Sequence, residues 1–301
     1  MASTLDTIAP GARVAVIRMR SLGDCVLTTP ALDLLHSYRP DLSIGVVAED
    51  RFSGVFEHHP AVSAILPPAL AGVRRFRPQM VINLHGGTRS TLMTLCSGAQ
   101  IRAGFGHYVG SQAYNVRIPR AQEILGDPRP VHTAEHLASA MFYLGVPRVE
   151  IPRASLYTSG ARVEEQGTYA VMHPFASAPD KAWPVSRFVD VAGKLGSRVV
   201  VLAGPQDDVA PFEGFRVYRN ASLDTVKRLL RDAALFIGND SGPAHMAAAF
   251  GIPVVVLFGP ANPATWGPWR THAKVIQSAA GFDAIRVDEC LRAIDELKVR
   301  A

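Results

Sequence analysis

The residue pattern best suited to ligand chemistry is a short polar loop, residues 238–245 (GNDSGPAH), between two apolar segments. The runs before and after it, residues 233–237 and 253–258, both predict buried strands. In parallel sheets ligands bind where strands end, and N–H groups at a helix start suit anionic oxygens. The same pattern also fits a simpler role, in which Asp240 or Ser241 only caps the short helix that follows.

Three further loops follow predicted strands, at residues 20–24, 85–89 and 173–184. Asp24 is the sole carboxylate in the two N-terminal loops, so it is the candidate general base there. It also fits the role of a helix-start carboxylate held by the helix dipole. Lys181 lies in a turn bounded by proline and tryptophan, where it could bind phosphate or be an ordinary surface lysine. The residues alone leave both roles open for Asp24 and both roles open for Lys181.

Metal-binding patterns are missing from the sequence. His132 and His136 have helical spacing, but the segment reads HTAEH and not HExxH. No D-x-D motif occurs, so a carboxylate-held magnesium ion is not indicated. The 3 cysteines are far apart and form no CxxC pair, which predicts neither a disulfide framework nor a zinc site.

The elements that must position these loops alternate between strand and helix. Strands are predicted at 13–18, 43–48, 63–66, 79–84, 101–105, 169–173, 198–203, 235–238 and 254–258. Helices are predicted up to residue 38, and at 89–97, 132–144, 185–195, 223–231 and 288–299. Such alternation predicts two doubly wound parallel-sheet domains, 1–157 and 158–301, facing across a cleft. The connecting residues 146–160 are expected to act as a hinge.

Composition fits a globular protein of this size. Of the 301 residues, 48% are hydrophobic and 19% are charged, and no apolar run could cross a bilayer. The N-terminus lacks the pattern of a secretory signal, so a cytoplasmic location is expected. The net charge of +5, with arginine concentrated in the first half, suits either a phosphorylated or membrane-surface partner or plain solubility. No arginine-rich run with interleaved aromatics suggests a nucleic-acid partner.

Four ordered motifs carry a resemblance that extends over nearly the whole chain. They are R-x-x-x-L-G-D-x-x-x-T-x-P-A at 18–31, N-L-H-G-x-x-R-S at 83–90, H-P-x-A-x-x-x-x-K-x-W-P at 173–184, and N-D-S-G-P-x-H-x-A-A-A-x-G-x-P-x-V-x-L-F-G-P at 239–260. The chain resembles glycosyltransferase family 9, whose best-known members are the ADP-heptose lipopolysaccharide heptosyltransferases. The region 105–130 is compact compared with most members, which concerns the acceptor side.

The resemblance implies a GT-B fold, with two Rossmann-like domains. It implies an acceptor-binding N-terminal domain and a C-terminal domain that binds the nucleotide sugar. It also implies that Asp24 is the catalytic base and that Lys181 binds the donor phosphates. The other donor-binding residues that it implies are Ser177, Gly204, Gln206, Ala221, Leu223, Asp240, Ser241, Gly242 and His245. The acceptor-side residues that it implies are Gly23, His85, Gly86 and Arg89.

The implied reaction is an inverting transfer that needs no protein-held metal and no cofactor. The donor would be a nucleotide sugar, ADP-heptose by resemblance, and the acceptor a lipid-linked or phosphorylated glycan such as the lipopolysaccharide core. Alternatives that the residues leave open are another nucleotide-sugar donor, a UDP-sugar 2-epimerase-like isomerase and a non-catalytic sugar-nucleotide sensor. Peripheral association with the inner membrane also stays open.

Overall fold

The computed structural model describes residues 3–160, 163, 165, 167–176, 178–195 and 198–297. The chain divides into two compact units, Met1–Tyr157 (unit 1) and Thr158–Ala301 (unit 2). None of the described helices is long and apolar enough to span a bilayer.

Unit 1 is built on a parallel sheet. Its described strands are β1 (Arg13–Ile17), β2 (Ser43–Val47), β3 (Ala64–Leu66), β4 (Met80–Asn83), β5 (Ile101–Phe105) and β6 (Val116–Ile118), in the order β3-β2-β1-β4-β5-β6. Its described helices are α1 (Leu22–Val26), α2 (Thr29–Tyr38), α3 (Asp50–Ser53), α4 (Leu70–Phe76), α5 (Thr88–Leu95), α6 (Ala121–Leu125) and α7 (Thr133–Leu144).

Unit 2 repeats this plan. Its described strands are β7 (Tyr169–His173), β8 (Arg198–Ala203), β9 (Arg216–Arg219), β10 (Leu235–Asn239), β11 (Val254–Phe258) and β12 (Ala273–Gln277), in the order β12-β11-β10-β7-β8-β9. Its described helices are α8 (Val185–Lys194), α9 (Leu223–Asp232), α10 (Gly242–Phe250), α11 (Pro263–Trp266) and α12 (Val287–Glu296).

All strands are parallel, but successive strands are added outward in opposite directions from one point in each sheet. In unit 1 this is between β1 and β4, which pair in parallel with Ile17 opposite Asn83. In unit 2 it is between β7 and β10, with Gly238 opposite His173. The loops that leave two such strands diverge to opposite faces of the sheet and open a crevice at the carboxyl edge. Each crevice is therefore the place in its unit where ligand contacts are expected.

The central strands were predicted because each contains a run of buried apolar residues, such as Val14 to Ile17. The doubly wound α/β class is confirmed. Three edge strands, β6, β9 and β12, were not predicted. Their burial alternates or is slight, so no continuous apolar run marks them.

Two local differences from the expected elements bear on the site. The helix expected to run to Tyr38 is two helices, and Pro30 occupies the first turn of α2, where a missing N–H costs nothing. The first of the two helices, α1, starts at Leu22, so Asp24 lies in its first turn. The last helix ends at Glu296, and residues 298–299 of the expected span lie outside the described residues.

The segment expected to be a hinge is largely packed against unit 1. Within it Ile151, Ala154 and Leu156 are buried. Ser155 fixes the backbone, because its N–H donates to Thr29 Oγ1 at 2.8 Å and its hydroxyl donates to Asp33 Oδ2 at 2.6 Å. Residues 146–157 are therefore part of the unit 1 fold and not a free connection.

Candidate active site

The carboxyl end of β1 carries an ion pair. Arg18, which is buried, donates through one guanidinium nitrogen to Leu84 O at 2.5 Å, and its other terminal nitrogen contacts Asp24 Oδ1. The Asp24 side chain retains 18% exposure, so the carboxylate is held in place and still reachable from solvent. The pairing joins the ends of β1 and β4 across the crevice of unit 1.

Asp24 also caps its own helix. Its second oxygen, Oδ2, accepts from the Ser21 N–H at 3.3 Å and from the Ser21 hydroxyl at 3.1 Å. The helix-start role raised by the sequence is therefore present, and it coexists with a reachable carboxylate. Ser21 is exposed, so a ligand hydroxyl could replace its side-chain contact without opening the core.

A second loop is shaped by a buried asparagine at the end of β4. Asn83 Oδ1 accepts from the N–H groups of His85 and Gly86, both at 3.1 Å, and its Nδ2 donates to Thr94 Oγ1 and Tyr114 OH, also at 3.1 Å. This folds the loop back over the strand end. Sequence reasoning gave Asn83 no role, although it opens the 83–90 motif.

His85 lies within electrostatic reach of the same crevice. Burial, together with the charges of Arg18 and Arg20, lowers its pKa to about 4 against the opposing effect of Asp24 and Glu49. The imidazole is consequently neutral at neutral pH. Its Nδ1 is buried without a hydrogen-bond partner, so the ring has an unused polar atom in the described site.

The predicted acceptor-side residues lie in two separate parts of unit 1. Gly23 and Gly86 are buried at the ends of β1 and β4, beside Asp24 and His85. Arg89 is exposed on α5, and its guanidinium donates to Pro68 O, on the loop that precedes α4. Its side chain therefore lies toward α4 and not in the cluster around Asp24.

The two histidines with helical spacing have separate structural roles. His132 caps α7, with Nδ1 accepting from the Ala134 N–H at 3.1 Å. His136 stacks on Phe105 with ring centroids 4.1 Å apart. In the described part of the chain, no set of three His, Cys, Asp or Glu side chains is arranged to hold a metal ion.

In unit 2 a buried asparagine again organises the crevice. Asn239, the last residue of β10, accepts from the Trp183 N–H at 3.0 Å and donates to Pro174 O at 2.9 Å. Trp183 is itself fully buried and donates its indole N–H to Ile285 O at 3.0 Å. The loop that contains Lys181 is thereby fastened to the start of the Asp240 loop.

Lys181 lies within electrostatic reach of Asp240 at this edge. Burial raises the pKa of Asp240 to about 6 and outweighs the opposing effect of the positive charge on Lys181. Lys181 is exposed, so its ammonium group can reach a ligand. His245, which is buried, has Nε2 4.0 Å from Asp240 Oδ1.

Polar groups from three strand ends converge around His173. Its Nδ1 is 3.3 Å from the Ser241 hydroxyl at the N-cap of α10, and the Asp207 charge acts on its pKa. Burial lowers that pKa to about 4, so the ring is neutral at neutral pH. Asp207 Oδ2 in turn accepts from the Gly204 N–H at 2.7 Å. The sequence analysis assigned roles to Gly204 and Ser241, whereas His173 opened a motif without an assigned role.

The remaining predicted donor residues are placed as follows. Gly242 begins α10, and Gln206 is exposed in the loop after β8. Ala221 and Leu223 follow the edge strand β9, so they are farther along the same carboxyl edge. Ser177 lies outside the described residues.

The family model for glycosyltransferase family 9 (heptosyltransferase) matches residues 72–292. Among curated proteins, the chain is 25% identical over 308 residues to lipopolysaccharide heptosyltransferase 3 of Escherichia coli (strain K12), which covers 87% of this chain and 86% of that protein. It is 24% identical over 291 residues to lipopolysaccharide heptosyltransferase 1 of Pseudomonas aeruginosa, covering 85% and 81%.

Solved structures agree on the fold. A family 9 glycosyltransferase from Veillonella parvula superposes with a TM-score of 0.84 at 22% identity, covering 96% of this chain and 98% of that one. The E. coli heptosyltransferase WaaC with ADP gives a TM-score of 0.79 at 20% identity, covering 95% and 99%. The fold is therefore that of the GT-B heptosyltransferases.

Proposed function

The chain belongs to glycosyltransferase family 9, and we propose that it transfers a heptose from ADP-heptose to a lipopolysaccharide-core or similar phosphorylated glycan. Curated relatives of comparable length are named lipopolysaccharide heptosyltransferases, and one related structure contains ADP. Both facts support a heptose donor with an adenine nucleotide.

We assign the donor to the crevice of unit 2. The observation that carries this assignment is the fastening of the Lys181 loop to Asp240 through Asn239, at the N-terminus of α10. A lysine ammonium and free N–H groups at a helix start are the donors that a diphosphate requires. Asp240 is the adjacent acceptor and is suited to sugar hydroxyls.

We assign the base to Asp24. In the proposed step, the acceptor hydroxyl oxygen attacks the anomeric carbon as its bond to the diphosphate oxygen breaks. The hydroxyl proton passes to the Asp24 carboxylate, and the nucleoside diphosphate leaves with the bonding electrons. Attack opposite to the leaving group inverts the anomeric configuration. The guanidinium of Arg18 keeps the carboxylate oriented.

Lys181 is the cation that we assign to the departing diphosphate. As the bond breaks, negative charge grows on the leaving oxygen, and a fixed ammonium group stabilises that charge more strongly than bulk water can. In this proposal the protein itself supplies the counter-charge and holds no metal ion. By resemblance to the family, we expect the chemistry to take place on the cytoplasmic face of the inner membrane.

Nucleotide binding and turnover together test the proposal. Calorimetric titration with ADP, UDP and GDP is expected to show the tightest binding for ADP. Incubation with ADP-heptose and a core acceptor that lacks heptose is expected to release ADP and to yield a product with inverted anomeric configuration by NMR. Preference for UDP, or isomerisation of a UDP-sugar without an acceptor, would contradict the assignment.

A further inference from the structure

A long stretch of unit 1 contains no acidic residue. Residues 58–122 contain no Asp and no Glu, but they contain 7 arginines. The span includes β3 to β6 together with α4 and α5. Charges of both signs alternate on an ordinary solvated surface, so a single-sign stretch of this length indicates a surface that meets negative charge.

Two helices of this span cover one face of the sheet. Val73 of α4 and Met93 of α5 both pack into the same buried cluster with residues of β1, β2 and β4. The opposite side of α5 faces outward, and its leucines are unusually open. Leu92 is 54% exposed and Leu95 is 50% exposed.

A shallow apolar groove runs between the two helices. Its cavity volume is about 630 Å³, and it is lined by Pro68, Leu70, Leu92, Met93 and Cys96, among others. We call the surface formed by the groove, Leu95 and the flanking arginines of α4 and α5 the α4–α5 face.

Arginines border this groove. Near the start of α5, the Arg89 guanidinium donates to Pro68 O. Near its end, Arg74 Nε donates to Cys96 O at 2.7 Å. Arg75 is also exposed on α4. Both of the bridging guanidinium groups bind backbone carbonyls, so their charge is not cancelled by a carboxylate.

We propose that the α4–α5 face docks on an anionic phospholipid bilayer. Half-exposed leucines enter the acyl boundary, while the arginines above them contact lipid phosphates. A free phosphorylated glycan would not need the apolar groove or the half-exposed leucines beside it. The combination of apolar lining and unopposed arginine favours lipid.

The α4–α5 face lies close to the edge of the sheet that carries Asp24. Helix α5 begins immediately after the Gly86–Gly87 turn at the carboxyl edge of the sheet, next to His85. A bilayer lying along α4 and α5 would thus border the edge that carries Asp24. This inference concerns a surface outside the proposed donor crevice, and either one can fail without the other.

Vesicle sedimentation with the full chain tests the proposal. The wild type is expected to bind vesicles of equal parts phosphatidylcholine and phosphatidylglycerol at low salt, and to bind pure phosphatidylcholine poorly. Arg75→Gln is expected to weaken binding about fivefold, the effect of one arginine near an anionic surface. The double change Leu92→Asn/Leu95→Asn is expected to weaken it at least as much.

Matched control variants distinguish binding through the α4–α5 face from binding through the general positive charge of the protein. Arg148→Gln and Val149→Asn alter exposed residues of unit 1 outside this face, and Val149 is 55% exposed. They are expected to bind vesicles like the wild type. ADP affinity, measured for every variant, reports correct folding. Absence of wild-type binding to anionic vesicles, or equal losses in the control and test variants, would overturn the proposal.

Discussion

The Asp240 carboxylate should lower the stability of the protein at neutral pH. Its side chain is only 18% exposed, and burial raises its pKa from 3.8 to about 6. Above that pH the folded protein holds an ionised carboxylate in a poorly solvated place, which costs free energy. Lys181 offsets only part of this cost. We therefore expect Asp240→Asn to stabilise unit 2.

The magnitude follows from proton linkage. A tenfold change in proton affinity is worth about 1.4 kcal/mol, so the pKa rise corresponds to about 2–3 kcal/mol at neutral pH. Between about pH 4 and pH 6 the folded state binds more protons than the unfolded state, so the free energy of unfolding falls as the pH rises. The advantage of the Asn variant should therefore appear across this interval and be absent below it.

Tryptophan fluorescence is the natural assay, because Trp183, Trp266 and Trp269 are the 3 tryptophans of the chain and all belong to unit 2. Urea unfolding of wild type and variant is compared at neutral pH and near the lower end of the interval. Asp190→Asn, at an exposed position on α8, is the control and should change nothing. Equal stabilisation of Asp240→Asn at both pH values would refute the reasoning.

Four other outcomes are expected. Asp24→Asn should lower turnover about 10²–10⁴-fold in steady-state assays while the calorimetric ADP affinity is unchanged, because only the base is lost. Lys181→Met should weaken ADP binding about tenfold or more in the same titration, since a charged phosphate contact disappears. Arg18→Met should lower the free energy of unfolding by about 2–4 kcal/mol, measured by circular dichroism in urea, and a second change, Asp24→Asn, should recover part of it. Gly86→Ala should cost about 1–3 kcal/mol in that assay, because φ is +73° and the new Cβ would lie 3.1 Å from the Tyr108 ring.

Three of these variants, Asp24→Asn, Lys181→Met and Gly86→Ala, have a matched control elsewhere in the chain. Asp50→Asn changes an exposed carboxylate in the first turn of α3 and should leave turnover intact. Lys194→Met, in the last turn of α8, should leave ADP affinity intact. Gly126→Ala has a φ of +70° with open space around the new Cβ, so it should cost less than Gly86→Ala. A control that behaves like its test variant would assign the effect to general charge or backbone strain.

The fold was predictable where burial is continuous. β11 and, after Arg13, β1 consist of buried apolar residues, and the Pro30 signal correctly marked a helix boundary. The edge strands β6, β9 and β12 were missed because much of each is exposed or only partly buried. The extent of the packed 146–157 segment was also missed, since its proline- and arginine-rich composition is typical of a linker and its contacts are long-range.

The site was only partly accessible from the sequence. Loops with Asp24, Lys181 and Asp240 are recognisable by type and position, but their roles stay proposals. The residues that fix the loops were not recognised. Asn239 bonds to partners 56 and 65 positions away, and Arg18 reaches Leu84 over 66 positions. Such pairings arise from strand adjacency, which local patterns do not encode.

Ser155 determines where this chain can be divided. Its links to Thr29 and Asp33 fasten the tail of unit 1 onto α2, and Thr158 already binds Arg231 of unit 2 at 2.8 Å. Any separate production of the halves, or insertion of a tag between them, has its natural seam after Tyr157. A cut a dozen residues earlier would instead remove the buried residues Ile151, Ala154 and Leu156 from the first half. The apolar surface that they cover would then be exposed, and the fragment would tend to aggregate.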